Sequence, residues 1–139
     1  MKPETLETKV LNRIGRKKGD VFLRADFDDL GGYDQVGRTL RGLARKGILV
    51  RVGQGLYARA QPALISGDPV PVRGLATLKA ALRRVGVETL PSRLERAYDA
   101  GETTQVPTGR VVGVNRRVRR RIGYNGFTLS FERAGPSPY

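Results

Sequence analysis

"VFLRADFDDLGGYDQVGRTLRGLARKGILVRVGQGLYAR", residues 21–59, is the stretch whose reading decides the fold. At its centre, residues 34–46 have helical periodicity. Val36, Leu40 and Leu43 share one face, with Tyr33 and Ala44 at its edge. The opposite face carries Asp34, Arg38, Arg41, Gly42 and Arg45, flanked by Gln35 and Lys46. One side is therefore core and the other mostly guanidinium. Two glycines, Gly37 and Gly42, sit inside this helix, each costing about 1 kcal/mol relative to Ala. Gly42 faces outward, where a missing side chain lets a partner's backbone come close. After Gly47, the β-favouring runs Ile48–Val52 and Leu56–Arg59 flank Gly53-Gln54-Gly55, which predicts a tight hairpin.

Upstream of the basic helix, Val21–Leu23 predicts a short strand and Ala25–Leu30 a short helix with Phe27 and Leu30 inward. Gly31-Gly32 predicts a turn. Residues 4–18 predict an amphipathic helix on Leu6, Val10, Leu11 and Ile14, with Glu4 and Glu7 early and Arg13, Arg16, Lys17 and Lys18 late, as the helix dipole prefers. The order is helix, strand, short helix, turn, basic helix, hairpin. That is the order of a winged helix-turn-helix, with the basic helix for recognition and the hairpin as wing.

Downstream, residues 61–72 carry three prolines and one glycine and predict a linker. Leu75, Leu78, Leu82 and Val85 fall at helical spacing, ended by Gly86. Pro91 predicts the start of a further helix with Leu94, Ala97 and Tyr98 inward. The rest is β in character. Val112 and Val114 share a face, and Arg117–Tyr124 alternates apolar with arginine. Asn125-Gly126 is a hairpin signal, and Phe127, Leu129 and Phe131 alternate after it. The expected architecture is α+β. It comprises a winged helix-turn-helix over residues 1–60, a linker over 61–72, and a small domain of two helices and an antiparallel sheet over 73–134. A flexible tail is expected over 135–139.

The chain has 139 residues and a formal charge of +13, from 26 Lys+Arg against 13 Asp+Glu. Such a charge repels itself, and a polyanionic partner is the simplest reason to carry it. With no Cys and no His, thiol nucleophiles, disulfides, imidazole catalysis and His-based metal sites are excluded. No paired-carboxylate constellation replaces them. Asp26, Asp28 and Asp29 read as a solvated face. No enzymatic activity, metal or cofactor is expected. No apolar window approaches a membrane span, so the expected location is cytoplasmic, without a membrane partner.

Arg forks onto guanine and Gln bridges adenine in the major groove, and the early part of a recognition helix reaches base edges. This nominates Gln35, Arg38 and Arg41 as base-reading residues. Tyr33, Arg45, Lys46, Arg51, Gln54 and Arg59 are nominated for the DNA backbone. A second basic patch is expected at Arg116, Arg117, Arg119, Arg120 and Arg121, on the outer face of a strand. The expected function is sequence-specific binding of double-stranded DNA. Two rivals are an RNA-binding protein using the arginine face and a module neutralising an acidic protein. The scarcity of exposed aromatics argues against single-strand recognition. Monomer and homodimer both stay open.

The 21–59 block, followed by "TTQVPTGRVVGV" (103–114) and "RRRIGYNG" (119–126), resembles the AbiEi-type antitoxin and transcriptional-regulator group of bacterial type IV toxin–antitoxin systems. The resemblance runs over about residues 5–134. It implies a winged helix-turn-helix that represses its own operon. It also implies a C-terminal region tied to antitoxicity against a cognate toxin resembling a nucleotidyltransferase. Tyr33–Lys46 matches the recognition segment, Leu49–Arg59 the wing and Thr103–Gly109 a polar loop. The C-terminal part is much shorter here than in the longer antitoxins.

Overall fold

The computed structural model describes residues 4–133. Helix α1, Leu6–Arg16, starts at Thr5, whose Oγ1 accepts the Thr8 N–H at 3.1 Å. Strand β1 is Val21–Leu23. The short helix expected at Ala25–Leu30 is only a 3-10 turn, Arg24–Phe27, fastened by the Asp26 carboxylate accepting the Leu23 N–H at 3.0 Å. Helix α2, Tyr33–Arg45, buries Val36, Leu40 and Leu43. Strands β2, Leu49–Gly53, and β3, Leu56–Pro62, form the hairpin.

β1, β3 and β2 lie side by side in that order, all antiparallel, with Val21 and Val50 both opposite Ala58. Side chains alternate across a strand. Phe22, Leu49 and Tyr57 therefore pack on one face against Val10, Ile14, Phe27, Val36, Leu40 and Leu43. Val21, Val50, Val52, Leu56 and Ala58 point the other way, into a second cluster with Leu78, Leu82, Val112, Ile122 and Leu129. Both faces of the sheet are covered. The N-terminal helices form one layer, and elements from the second half of the chain form the other.

The stretch 61–72, expected as a linker, extends the first sheet at both its ends, with a largely exposed loop, 63–68, between them. Strand β4, Pro69–Pro71, pairs with the end of β3 through Ala60–Pro71, Gln61–Val70 and Pro62–Pro69. The prolines fit because β4 is an edge strand, where a missing donor is tolerated.

Helix α3, Leu75–Arg84, lies against β1. Strand β5 is Thr89–Leu90 and helix α4 is Arg93–Asp99. α4 starts later than Pro91 suggested, at a capping box. Ser92 Oγ accepts the Glu95 N–H at 3.1 Å, and Glu95 Oε1 accepts the Ser92 N–H at 3.2 Å. Tyr98, expected inward, is 42% exposed. This short helix rests on Leu94 and Ala97, both half-buried.

The strands β6, Val111–Val114, β7, Gly123–Tyr124, β8, Phe127–Thr128, and β9, Ser130–Arg133, complete the fold. β5 pairs antiparallel with β6, but β9 pairs parallel with β6, Val111 opposite Ser130 and Val114 opposite Arg133. The purely antiparallel sheet is thus corrected. The strand expected over Arg117–Tyr124 is also absent, apart from β7. Its alternation did place Ile122 inward, but Ile122 enters the core under the first sheet, at Gly53. That packing draws the segment across the molecule instead of along a neighbouring strand. The Asn125-Gly126 turn joins β7 to β8 with φ of 48° and 78°, the left-handed pair a two-residue hairpin requires. The expected tail, 135–139, lies outside the described residues. Among the described residues, no helix is long and apolar enough to cross a membrane.

Candidate nucleic-acid interface

The outward face of α2 places Arg38, Arg41 and Arg45 in one exposed row behind Asp34. Among the described residues, none of the three arginines has an acidic partner. Gln35 is exposed at the first turn. Its Oε1 accepts the Gly32 N–H at 3.4 Å. Lys46 is partly spent internally, since its Nζ lies 2.5 Å from Glu7 Oε1 and ties the end of α2 to α1. Gly42 leaves open surface, with Arg45 Nη2 3.9 Å from where a Cβ would stand.

Gly37 has a different setting. A Cβ there would lie 3.3 Å from Arg24 Nη1 and 3.3 Å from Arg41 Nη1. Two guanidinia, one from the 3-10 turn and one from α2, lie over this glycine. Arg24 was not singled out by sequence, because a lone arginine between Leu23 and Ala25 falls in no periodic pattern. It is held by Tyr33. The guanidinium carbon sits 3.3 Å from the ring centroid, and Nη2 donates to the Tyr33 hydroxyl. Tyr33 itself is 66% exposed.

The hairpin tip is open. Gly55 takes φ of 70°, Gln54 is exposed, and Arg51 Nε donates to the Gly53 carbonyl at 3.3 Å. Arg51 alternates with Val50 and Val52, so it stands on the same side of the sheet as α2. Arg120 Nη1 reaches the Gln54 carbonyl at 3.4 Å, which brings the second basic patch to the hairpin.

Two nominated residues have other work. Arg59, expected at the DNA backbone, turns to α1, where Nη2 donates to the carbonyls of Ile14 at 2.6 Å and Lys17 at 2.9 Å. It also pairs with Asp20 at 3.4 Å. The reason is that the last carbonyls of a helix have no partner of their own, and Arg59 satisfies them. Arg116 does the same for α3, donating to the Val85 carbonyl at 3.0 Å. Arg117, Arg119, Arg120 and Arg121 are exposed.

The acidic cluster is not a solvated face throughout. The Asp26 side chain, 13% exposed, takes Arg84 at 2.6 Å and Lys17 at 3.7 Å, joining α3 to the first layer. Asp29 pairs with Arg13, whose hydrogen bond holds its carboxyl below the ordinary 3.8. Among the described residues, no group of three or more acidic side chains is placed to hold a metal ion. The Thr103–Gly109 loop is polar and largely exposed, shaped by Thr103 Oγ1 accepting the Gln105 N–H at 3.1 Å.

A family model described as "Family of unknown function (DUF6088)" matches residues 9–138. No curated protein and no solved structure matches the chain.

Proposed function

The chain belongs to that family of unknown function, and we propose that it is a sequence-specific regulator that binds double-stranded DNA through a winged helix-turn-helix. In this reading α1, the 3-10 turn and α2 are the three helical elements, and the β2–β3 hairpin is the wing. The pairing of β1 with β3 supports it, since it ties the hairpin to the helices. The observation that carries the reading is the row of Arg38, Arg41 and Arg45, free of acidic partners among the described residues, on the exposed face of a 13-residue helix. At 1.5 Å per residue such a helix is about 20 Å long, the scale of one major-groove insertion.

Gln35, Arg38 and Arg41 read base edges, with Arg45, Arg51 and Gln54 on flanking phosphates. Gly42 lets the DNA backbone approach the helix. Arg59 has no part in this, and Lys46 must first leave Glu7. Chemistry is not required of any of these groups. Repression of its own promoter and an antitoxin role against a partner toxin follow from the resemblance alone. They are tested with a promoter reporter and by co-purification with the product of the adjacent gene.

The decisive experiment is selection of bound sequences from a random duplex library. One enriched motif is expected, and Arg38→Ala or Arg41→Ala should each cost about 1–3 kcal/mol on it and relax one position. Recovery of no motif, or variants that bind as the wild type does, would overturn the reading.

A further inference from the structure

The segment 119–128 opens with the last three of the five arginines in 116–121, yet recognition by α2 makes no use of it. It forms one wall of an open groove whose other wall is the β2–β3 hairpin tip. Five arginines line the groove: Arg24, Arg51, Arg119, Arg120 and Arg121. Among the described residues, no Asp or Glu lines it. Among the described residues none of these five arginines forms an ion pair, so their like charges repel one another across the groove. We propose that this groove holds a sugar–phosphate strand of the same duplex whose major groove receives α2. The proposal rests on that reading of α2.

Three observations favour a strand of duplex. The first is continuity. Arg24 lines the groove and, together with Arg41, lies over Gly37, so the groove abuts the basic row of α2 at its middle residue. The second is the floor. Gly53, Gly55, Gly123 and Gly126 line it. Gly55 and Gly126 are there for their positive φ, and nothing lies within 4 Å of where their side chains would be. Backbone N–H groups are thereby left reachable by an anion. The third is shape. The space is about 970 Å³ and open to solvent, far larger than one phosphate needs, and its arginines are on walls instead of in a closed pocket.

The aromatic residues of the groove separate a duplex from a single strand. Tyr124 and Phe127 are half-buried, their ring centroids 5.9 Å apart, and Arg110 covers Phe127 at 5.2 Å. These rings are engaged with each other and with Arg110. They offer poor stacking platforms for unpaired bases.

The test is a salt titration of binding to a mixed-sequence duplex of about three helical turns. The groove variant is Arg119→Ala, Arg120→Ala and Arg121→Ala together, with Arg24→Ala separately. The control removes three arginines that lie outside the groove and outside α2, Arg16→Ala, Arg83→Ala and Arg96→Ala. The groove variant should lower the slope of log affinity against log salt by about 0.9 for each phosphate it no longer neutralises. The control should keep the wild-type slope, and Lys at the three groove positions should restore most of it. Thermal melts establish folding, and Arg120→Glu at one exposed position gives the same readout with the least risk to the fold.

Equal slope changes in groove variant and control would mean net charge alone, and would overturn the proposal. So would a single strand that displaces the duplex more readily from the wild type than from the groove variant. If the groove variant binds as the wild type does while Arg38→Ala loses selectivity, the groove falls and the α2 reading stands. If neither set has an effect, both fall.

Discussion

The Arg24 guanidinium lies over the ring of Tyr33, 3.3 Å from its centroid, and donates to the phenol oxygen as well. The stacking holds a long, flexible cation at the place where the α2 row and the hairpin groove meet. Cation–π interactions at exposed sites are worth about 0.5–1 kcal/mol. Tyr33→Ala should therefore weaken DNA binding about two- to fivefold. Tyr33→Phe keeps the ring and should sit close to wild type. The comparison, made by fluorescence anisotropy, separates ring from hydroxyl. Equal losses in both variants would instead assign the effect to the hydroxyl, which accepts from Arg24, and not to the ring.

Gly37→Ala and Gly42→Ala should both stabilise the fold and both weaken DNA binding, at Gly37 by displacing arginines and at Gly42 by filling the surface that the DNA backbone approaches. Each Gly→Ala change gains helix propensity of about 1 kcal/mol. At Gly42 nothing stands closer than 3.9 Å, so that gain should appear in full as a higher melting temperature. At Gly37 the neighbours at 3.3 Å are the far ends of two arginines, which swing aside at little cost. Gly37→Ala should also stabilise, while displacing Arg24 and Arg41 and weakening DNA binding. Calorimetry and binding on the same samples check both halves.

Arg59→Ala should do the reverse. It strips the end of α1 of its hydrogen-bond donor and leaves the Ile14 and Lys17 carbonyls without that partner. A destabilisation of about 1–3 kcal/mol is expected in urea unfolding. The salt dependence of DNA binding by the folded protein should not change. A reduced salt slope would return Arg59 to the DNA backbone.

The Arg13–Asp29 pair sets an acid-side dependence. Because the Asp29 carboxyl is held below 3.8, its contribution is complete above that value and lost as pH falls through the lowered one. Arg13 is raised from a value already above the working range and adds nothing there. The melting temperature of Asp29→Asn should lie below wild type near neutral pH and converge with it in acid. The pair is solvent-exposed, so the gap will be small and will shrink further in salt.

Residues 1–60 expressed alone should not behave as a soluble folded unit. Val21, Val50, Val52, Leu56 and Ala58 would lose the layer built from α3, β6 and the 119–129 segment. Gel filtration should show aggregation, and the full chain should melt in one transition. A monodisperse, cooperatively folding fragment would contradict the shared core.

Elements set by local pattern were legible. The α2 face followed from its period, the hairpin from Gly53 and Gly55, and the β7–β8 turn from Asn125-Gly126. What escaped depended on distant partners. Nothing near Arg59 or Arg116 reveals that each ends at a helix terminus, and nothing near Arg24 announces Tyr33. Arg120 meets Gln54 across 66 positions of chain. The two-sided burial of the first sheet did leave a local mark. Val21-Phe22-Leu23 and Leu56-Tyr57-Ala58 are apolar at every position, as strands buried on both faces are. The parallel pairing of β6 with β9 left no such mark, because residue alternation is the same for either direction.

The seating of Ile122 against Gly53 has a consequence for synthesis. A Cβ at position 53 would lie 3.1 Å from the Ile122 methyl and 3.2 Å from the Arg121 carbonyl oxygen, so the hairpin and the 121–122 segment close against each other directly. During translation the helices α1 and α2 and the hairpin emerge early, but the sheet face met by α3 and β6 stays incompletely covered until Ile122 and Leu129 arrive. Such late, long-range closure is slow and leaves apolar strand surface uncovered while the chain is still growing. The 122–129 segment therefore decides when the hairpin sheet stops being sticky, and a ribosome stalled before Ile122 would carry a nascent chain that chaperones can bind.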